Sequence, residues 1–391
     1  MSCPPTASLG VNPPATPPAG LNAPAAAPGR AANARVDVLL STYNGAAWLP
    51  ELLHSLERQT LPDWRLIARD DGSSDATTAL LEAFVRRHAA GRVLLIEGGA
   101  NLGVVGSFSL LLSRATAAWV APADQDDVWA PEKLAVLCEA GEQAARGPAA
   151  AGTEPGRAPG ELPTLVHADL CVVDARLAPL AQSFWRYQRI DPSRDRTAQL
   201  LVQNVVTGCA CLFNQPLARL ALPLPPEASR IDAAPAPGDA PRSLSPPPSL
   251  PHACMMHDWW LALLASAAGR IVPVHAPLVF YRQHGANQLG ARRYAWSGFL
   301  RRASRLGRSF AVNRRLFAQA AALADRLAER GLAGASAGGE LVGLLEGFSR
   351  LGEASRWERY RFWRSCAELR KAGGLRNAAF LASLLLMPRR G

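Results

Sequence analysis

Between Val36 and Ala121 short apolar runs alternate with stretches of helical periodicity, and this alternation limits the fold more than any other feature of the chain. Residues 36–40, 64–68, 93–96 and 118–121 read as strands. Between them, 47–59 carries Trp48, Leu49, Leu52, Leu53 and Leu56 at helical spacing, a second helix runs through His88, and a third spans 107–115. Strands separated by helices imply βαβ units and a mostly parallel sheet. Right-handed crossovers then gather the strand C-terminal ends, and with them a ligand crevice, on one edge. A less regular second half follows, with strands at 165–173, 210–213, 271–274 and 278–281 and a helix over 258–268.

Composition divides the 391 residues further. Of 32 prolines, eight fall in residues 1–34 and ten in 223–251. Residues 1–34, rich in Pro and Ala with Arg30 as their one charge, cannot bury enough to offset ordering and are expected to be a disordered tail. Low-complexity inserts are expected at 141–163 and 223–251 within a catalytic domain over 35–291. From Arg292 onward the net charge is +13, against −3 for everything before it, so 292–391 reads as a basic helical C-terminal region. Seven cysteines are too few and too odd in number for a disulfide scaffold and point to a reducing compartment. Cys209-Ala-Cys211 reads as buried strand residues. The first residues lack a basic segment followed by an apolar one, which argues against secretion, and no run reaches the roughly 18–20 apolar residues of a membrane span. A cytoplasmic protein, peripheral at the inner face of the cell membrane if it meets one, is the expectation.

Three polar clusters follow strands. Ser41-Thr42-Tyr43-Asn44 either lines the crevice or caps the turn into the next helix. In Asp70-Asp71-Gly72-Ser73-Ser74-Asp75, Ser74 or Asp75 can cap a helix, but two further carboxylates point to a ligand such as a nucleobase. Asp124-Gln125-Asp126-Asp127 places three carboxylates within four residues, a costly arrangement without a cation, and suits a divalent metal that also binds phosphate oxygens.

These clusters, with Asn101-Leu102-Gly103 after the third strand, resemble glycosyltransferase family 2 in order and spacing. Further on, His167-Ala168-Asp169, the NVVTG of 204–208, His257-Asp258-Trp259-Trp260 and the YRQHGAN of 281–287 resemble its bacterial rhamnosyltransferase-like branch. The likeness covers about residues 36–290. It implies a GT-A fold, a mostly parallel central sheet flanked by helices, followed here by C-terminal helices. It also implies that Thr42, Tyr43, Asn44, Asp70, Asp71, Asn101 and Asp124 hold the nucleotide, with Arg282 on its phosphates. Asp126, with Asp124 and His284, would hold Mg²⁺ or Mn²⁺; His284 can equally bond a loop carbonyl. Asp258 would be the catalytic base, or cap its helix, or both. His167, Asp169, Thr207, Gly208, His257 and Trp259 would face acceptor or sugar, although indoles at such a helix start are commonly core. Relatives carry Glu-Asp where this chain has His257-Asp258, which leaves the role of His257 open.

The resulting expectation is an inverting, metal-dependent transferase moving a sugar, rhamnose by branch likeness, from a dTDP- or UDP-sugar to a glycan or lipid-linked acceptor in bacterial surface polysaccharide synthesis. The alternative is a catalytically silent nucleotide-sugar-binding scaffold. Arg301, Arg302, Arg305 and Arg308 form one basic helical face; with the later Trp357, Tyr360, Phe362 and Trp363 this mixture fits a membrane surface better than nucleic acid.

Overall fold

A computed structural model describes residues 34–146, 161–226, 253–285, 306–332 and 336–389. The first half follows the expected alternation: β1 (Val36–Thr42), α1 (Leu49–Glu57), β2 (Trp64–Asp70), α2 (Thr77–Arg87), β3 (Val93–Ile96), α3 (Gly103–Ser113), β4 (Trp119–Asp124), β5 (Val128–Trp129) and α4 (Lys133–Arg146). Then come β6 (Thr164–Val173), β7 (Pro179–Ala181), α5 (Phe184–Gln188), α6 (Thr197–Leu200), a 3-10 turn at Gly208–Ala210, β8 (Cys211–Asn214), α7 (Gln215–Ala221), α8 (His257–Ala268) and β9 (Arg270–Arg282). Four C-terminal helices complete the described chain: α9 (Leu306–Glu329), α10 (Ser336–Ser349), α11 (Arg356–Ser365) and α12 (Gly374–Leu386).

All nine strands form one sheet in the order β3-β2-β1-β4-β8-β6-β9-β5, with β7 beside β6. Pairs among β1 to β4 are parallel, and so is β6 with β9, whereas β8 is antiparallel to both β4 and β6. The sheet is therefore mixed rather than mostly parallel. Side chains alternate across it as the period of two demands. Leu39, Ile67, Val120 and Leu165 enter the core under α3, α7, α8 and α9, while Val38, Leu40, Leu66, Ala121 and Val166 face the core under α1, α2 and α4. On β1, Asp37 is fully buried, yet its carboxylate accepts two bonds of 2.8 Å from Arg65 and further bonds from the amides of Thr116 and Ala117, so the charge is fully met.

Several expected boundaries shift. Strands β1, β2 and β4 run to Thr42, Asp70 and Asp124, so each polar cluster begins within a strand instead of in the loop after it. The two short strands expected at 271–274 and 278–281 are one strand of 13 residues, with register shifts against β6 on either side of Pro277. The insert expected at 141–163 begins six residues later, because α4 continues to Arg146, and Leu162 is buried at its other end. Of the second insert, 227–251 lies outside the described residues, as do 1–33 of the expected tail.

The basic C-terminal region is more than a charged appendage. Leu316, Phe317, Ala320, Leu323, Leu327, Leu345 and Phe348 belong to the same core as Trp260 and Leu217. Its arginines meet helix C-terminal carbonyls, where unpaired oxygens and the negative end of the helix dipole favour a cation. Arg326 donates to the carbonyls of Leu220 and Ala221 at 2.8 Å and of Pro223 at 2.7 Å, closing α7. Arg376 closes α5 through the carbonyls of Gln188 and Arg189. Arg359, 1% exposed, bonds the carbonyls of Leu351, Gly352, Leu384 and Met387. The face expected from Arg301, Arg302, Arg305 and Arg308 lies outside the residues whose side chains are described. Replacing Arg326→Met should strand three carbonyls and lower stability by about 3 kcal/mol, read from the midpoint of chemical denaturation; an unchanged midpoint would show that α7 does not depend on this cap.

Candidate active site

The C-terminal ends of β1, β2 and β4 meet at one sheet edge, as expected. Thr42 donates its hydroxyl to Asp70 Oδ1 at 2.8 Å. Asp70 also accepts from the amides of Gly72 and Ser73 and from the Ser73 hydroxyl. Burial alone would raise its pKa, but these bonds outweigh burial and lower it. Asp71 pairs with buried Arg69 and accepts from the amides of Leu102 and Gly103 at 2.7 and 2.8 Å, at the N-terminus of α3. Asn101 holds the Asp71 carbonyl at 2.9 Å. Asn44, at a φ of 47°, accepts from the Ser74 amide, and Asp75 caps α2 through Thr77. Both carboxylates, of which at least one was expected to meet a ligand such as a nucleobase, have partners within the protein: this loop folds back on Asp70, and α3 points its first amides at Asp71. At the rim the ring of Tyr43 is 49% exposed.

Gln125 clasps Tyr43 by both ends of its amide, accepting from the Tyr43 N–H and donating to its carbonyl, each at 2.9 Å. The clasp lies so close to Gly45 that a Cβ there would stand 2.2 Å from Gln125 Oε1. Next in the turn, Asp126 Oδ2 meets His284 Nε2 at 2.9 Å, so two of the residues expected on a cation come together. The third, Asp124, instead groups with Asp127 and Cys209, whose ligand atoms all lie within 4.8 Å of one another. Burial, then Asp126 and Asp258, raise the pKa of Asp124 to about 7; burial and its acidic neighbours also raise that of Asp127.

Arg282, expected on the phosphates, is engaged within the protein. It is buried, and its guanidinium donates to the carbonyls of Asp126 at 2.8 Å and Ala175 at 2.7 Å and pairs with Glu51, while its amide donates to Asp127 Oδ1 at 3.0 Å. It straps the acidic turn to α1 and to the end of β6. Trp48, expected on the apolar face of the first helix, instead precedes α1 and lies under both Arg282, 4.7 Å from its ring centre, and His284, stacked at 4.9 Å.

Asp258 is the second residue of α8, where backbone amides and the helix dipole favour an anion. Its carboxylate accepts from the Trp259 amide at 2.6 Å and the Gly208 amide at 3.1 Å. Burial raises its pKa to about 6 against the opposing amides of Trp259 and Gly208 and the Asn204 side chain. Gly208 permits this approach: a Cβ there would stand 3.0 Å from His257 Nε2 and 3.4 Å from Asp258 Cβ. Thr207 begins the 3-10 turn carrying Gly208.

Four residues expected to face acceptor or sugar are turned inward. His257 is buried and stacked on Phe108 at 3.9 Å, and His167 is fully buried on β6; burial lowers both to about 4 and keeps both neutral near pH 7. Asp169 accepts from Ser183 and from the Trp185 amide at the start of α5. Trp259 donates its indole N–H to the Leu200 carbonyl at 2.6 Å.

One residue of the site was missed. Lys133 is fully buried, donates to the Cys209 carbonyl at 2.6 Å and lies 3.0 Å from the centre of the Trp129 ring. Burial lowers its pKa to about 7 against the attraction of Asp127 and Asp124, among others. It fastens the turn that presents Gly208 to Asp258 and sets a cation behind the acidic cluster. A signal existed: of 42 Lys and Arg residues only Lys133 and Lys371 are lysine. Where arginine is the default surface cation, a compact ammonium marks a place a guanidinium does not fit.

Residues 37–210 match the family model described as glycosyl transferase family 2. That segment, 174 of the 391 residues, is similar to glycosyltransferase family 2, and the mixed sheet with flanking helices is a GT-A-like fold. Over 99 residues, a quarter of the chain, it is 31% identical to TuaG, a Bacillus subtilis protein assigned to teichuronic acid biosynthesis as a glycosyltransferase. Over a like segment it is 28% identical to the Escherichia coli UDP-Glc:alpha-D-GlcNAc-diphosphoundecaprenol beta-1,3-glucosyltransferase WfgD. The matched segment spans 38% of the length of each. Among solved structures, S. aureus TarS residues 1–349 with UDP-GlcNAc is similar at 12% identity and a TM-score of 0.48, covering 85% of this chain and 74% of that one.

The raised carboxylate at Asp258 has a stability consequence. A folded state that holds this proton more tightly than the unfolded chain is favoured at low pH and loses that advantage as pH rises from about 4 to about 6. Asp258→Asn should therefore flatten the decline of the melting temperature across that window, measured without added metal; parallel curves for the two proteins would contradict the buried placement.

Proposed function

We propose that this chain is an inverting, metal-dependent glycosyltransferase that moves a sugar from a nucleotide-diphosphate donor to a hydroxyl of a glycan or lipid-linked acceptor in surface polysaccharide synthesis. The reading rests on one observation above the others: in a chain similar to family 2 over residues 37–210, a carboxylate at the start of a helix shares a crevice with the acidic turn, close enough to raise the pKa of Asp124. Asp258, near pH 7, is ionised and aimed by the Gly208 and Trp259 amides, so it can accept the acceptor's hydroxyl proton. As that proton leaves, the acceptor oxygen bonds to the anomeric carbon and the carbon–phosphate-oxygen bond breaks with the electron pair departing on the diphosphate. A single base suffices, and inversion follows from attack opposite the leaving group.

Asp126 and His284, which already meet, together with the Asp124 carboxylate of the same turn would hold Mg²⁺ or Mn²⁺ once Asp124 turned toward them from its grouping with Asp127 and Cys209. Such an ion would neutralise charge on the departing diphosphate. Asp127, tied to the Arg282 amide, keeps the turn in shape, and Tyr43, open at the rim, offers a ring for a base to stack on. The names of TuaG and WfgD support a cell-envelope glycan acceptor, lipid-linked in the second case. Rhamnose, and dTDP over UDP in the donor, follow from the motif likeness alone; a thermal-shift series of dTDP-, UDP- and GDP-sugars with and without Mn²⁺ separates them.

Asp258→Asn should leave nucleotide-dependent thermal stabilisation intact and reduce transfer by at least about 10²-fold, with the wild-type rate falling as pH drops through about 6. Transfer by the variant at the wild-type rate would remove Asp258 from the reaction. Activity undiminished by EDTA would likewise remove the cation.

A further inference from the structure

Helix α11 carries a surface that the core does not use. Its inner face is fixed by Arg359 and by Phe362 and Trp363, which pack against the core. On its outer side Trp357 is 65% exposed, the most exposed large apolar side chain among the described residues. Its indole stacks on Tyr360 at 5.6 Å, and Tyr360 on Trp363 at 6.5 Å, with interplanar angles of 26° and 27°. The three rings form a ladder at every third residue, running from solvent to core, with the guanidinium of Arg370 over its inner end, 3.5 Å from Trp363.

Beside the ladder, Arg356, Arg361 and Arg364 are exposed. The one acid of the helix, Glu358, is engaged in the capping box with Ser355. The neighbouring end of α12 is bound to α11 through Arg359 and adds exposed Leu386 and Arg389, the latter donating to the Glu353 carbonyl at 2.6 Å. No helix among the described residues is long and apolar enough to cross a membrane.

We propose that this face docks on the surface of an anionic lipid bilayer, Trp357 and Tyr360 entering the headgroup layer and Arg356, Arg361 and Arg364 meeting lipid phosphates. Amphipathic rings with a polar edge prefer that layer, and each arginine held there gains from the negative surface potential. A sugar platform would call for an open ring without three surrounding cations. A nucleic acid would be drawn by the arginines but gains nothing from a ladder whose inner rungs are already stacked and covered. The charge on the surface and the exposed indole together select an anionic interface. This docking does not depend on the transferase reading, since it requires no turnover.

The test is flotation of the full chain with vesicles of mixed phosphatidylglycerol and phosphatidylcholine, compared with phosphatidylcholine alone. The wild type should float with the first and not the second. Arg361→Gln and Arg364→Gln should each lower the partition coefficient about fivefold, and Trp357→Ser should lower it at unchanged melting temperature, the side chain being exposed. Variants that float like the wild type, or equal flotation on neutral vesicles, would overturn the proposal. Retention on a soluble polyanion without flotation would also overturn it, in favour of a nucleic-acid partner.

Discussion

Four aspartates gathered at one sheet edge repel one another, and much of the surrounding structure answers that repulsion. Asp124, Asp126 and Asp127 come from a single turn and Asp258 from the start of α8. Burial strengthens the conflict, because it removes the water that would screen like charges. The fold meets it with three separate devices. Lys133 brings an ammonium beneath the cluster from α4, Arg282 holds the turn from the end of β9, and Gly208 with Trp259 directs amides at Asp258. None of these cations faces the crevice as a ligand contact; they make it possible for the carboxylates to do so.

The crevice depends in turn on strands from both halves of the chain. β4 delivers Asp124, while β9, threaded between β6 and β5, delivers Arg282 and then His284. The turn is held from α1 as well, through Glu51. The C-terminal helices contribute from the far side: α9 packs behind α8 and closes α7, so the helix bearing Asp258 is supported by residues well beyond the family match.

The alternation of strand and helix in residues 36–121 was legible in the sequence because each apolar run there is short and bounded by polar clusters, which fixes both element type and order. The second half was less legible. Residues 275–277 were read as a break between two strands, whereas the pairing with β6 continues past them by shifting register. In the site, Asp126, His284 and Asp258 were singled out through motif likeness, but the engagement of their neighbours was not legible. Whether Asp71 reaches a ligand or the first amides of α3 depends on where Leu102 and Gly103 come to lie, a matter of tertiary approach rather than residue type. The same holds for Arg282, whose spacing from His284 suggested phosphate and whose burial gives it Glu51 instead. His257 and His167 stood as site candidates through motif likeness, and packing made them neutral core rings.

The caps on α5, α7 and α12 use guanidinium groups, which stay charged across the whole range in which proteins are handled. Burial moves the charge change of Asp258 in the crevice up to about pH 6 and that of Asp124 up to about pH 7. The molecule is thereby divided by what its parts respond to. Acidity reaches the crevice and leaves the helical buttress behind it untouched, so the reactive edge can change its protonation without loosening the frame that aims it.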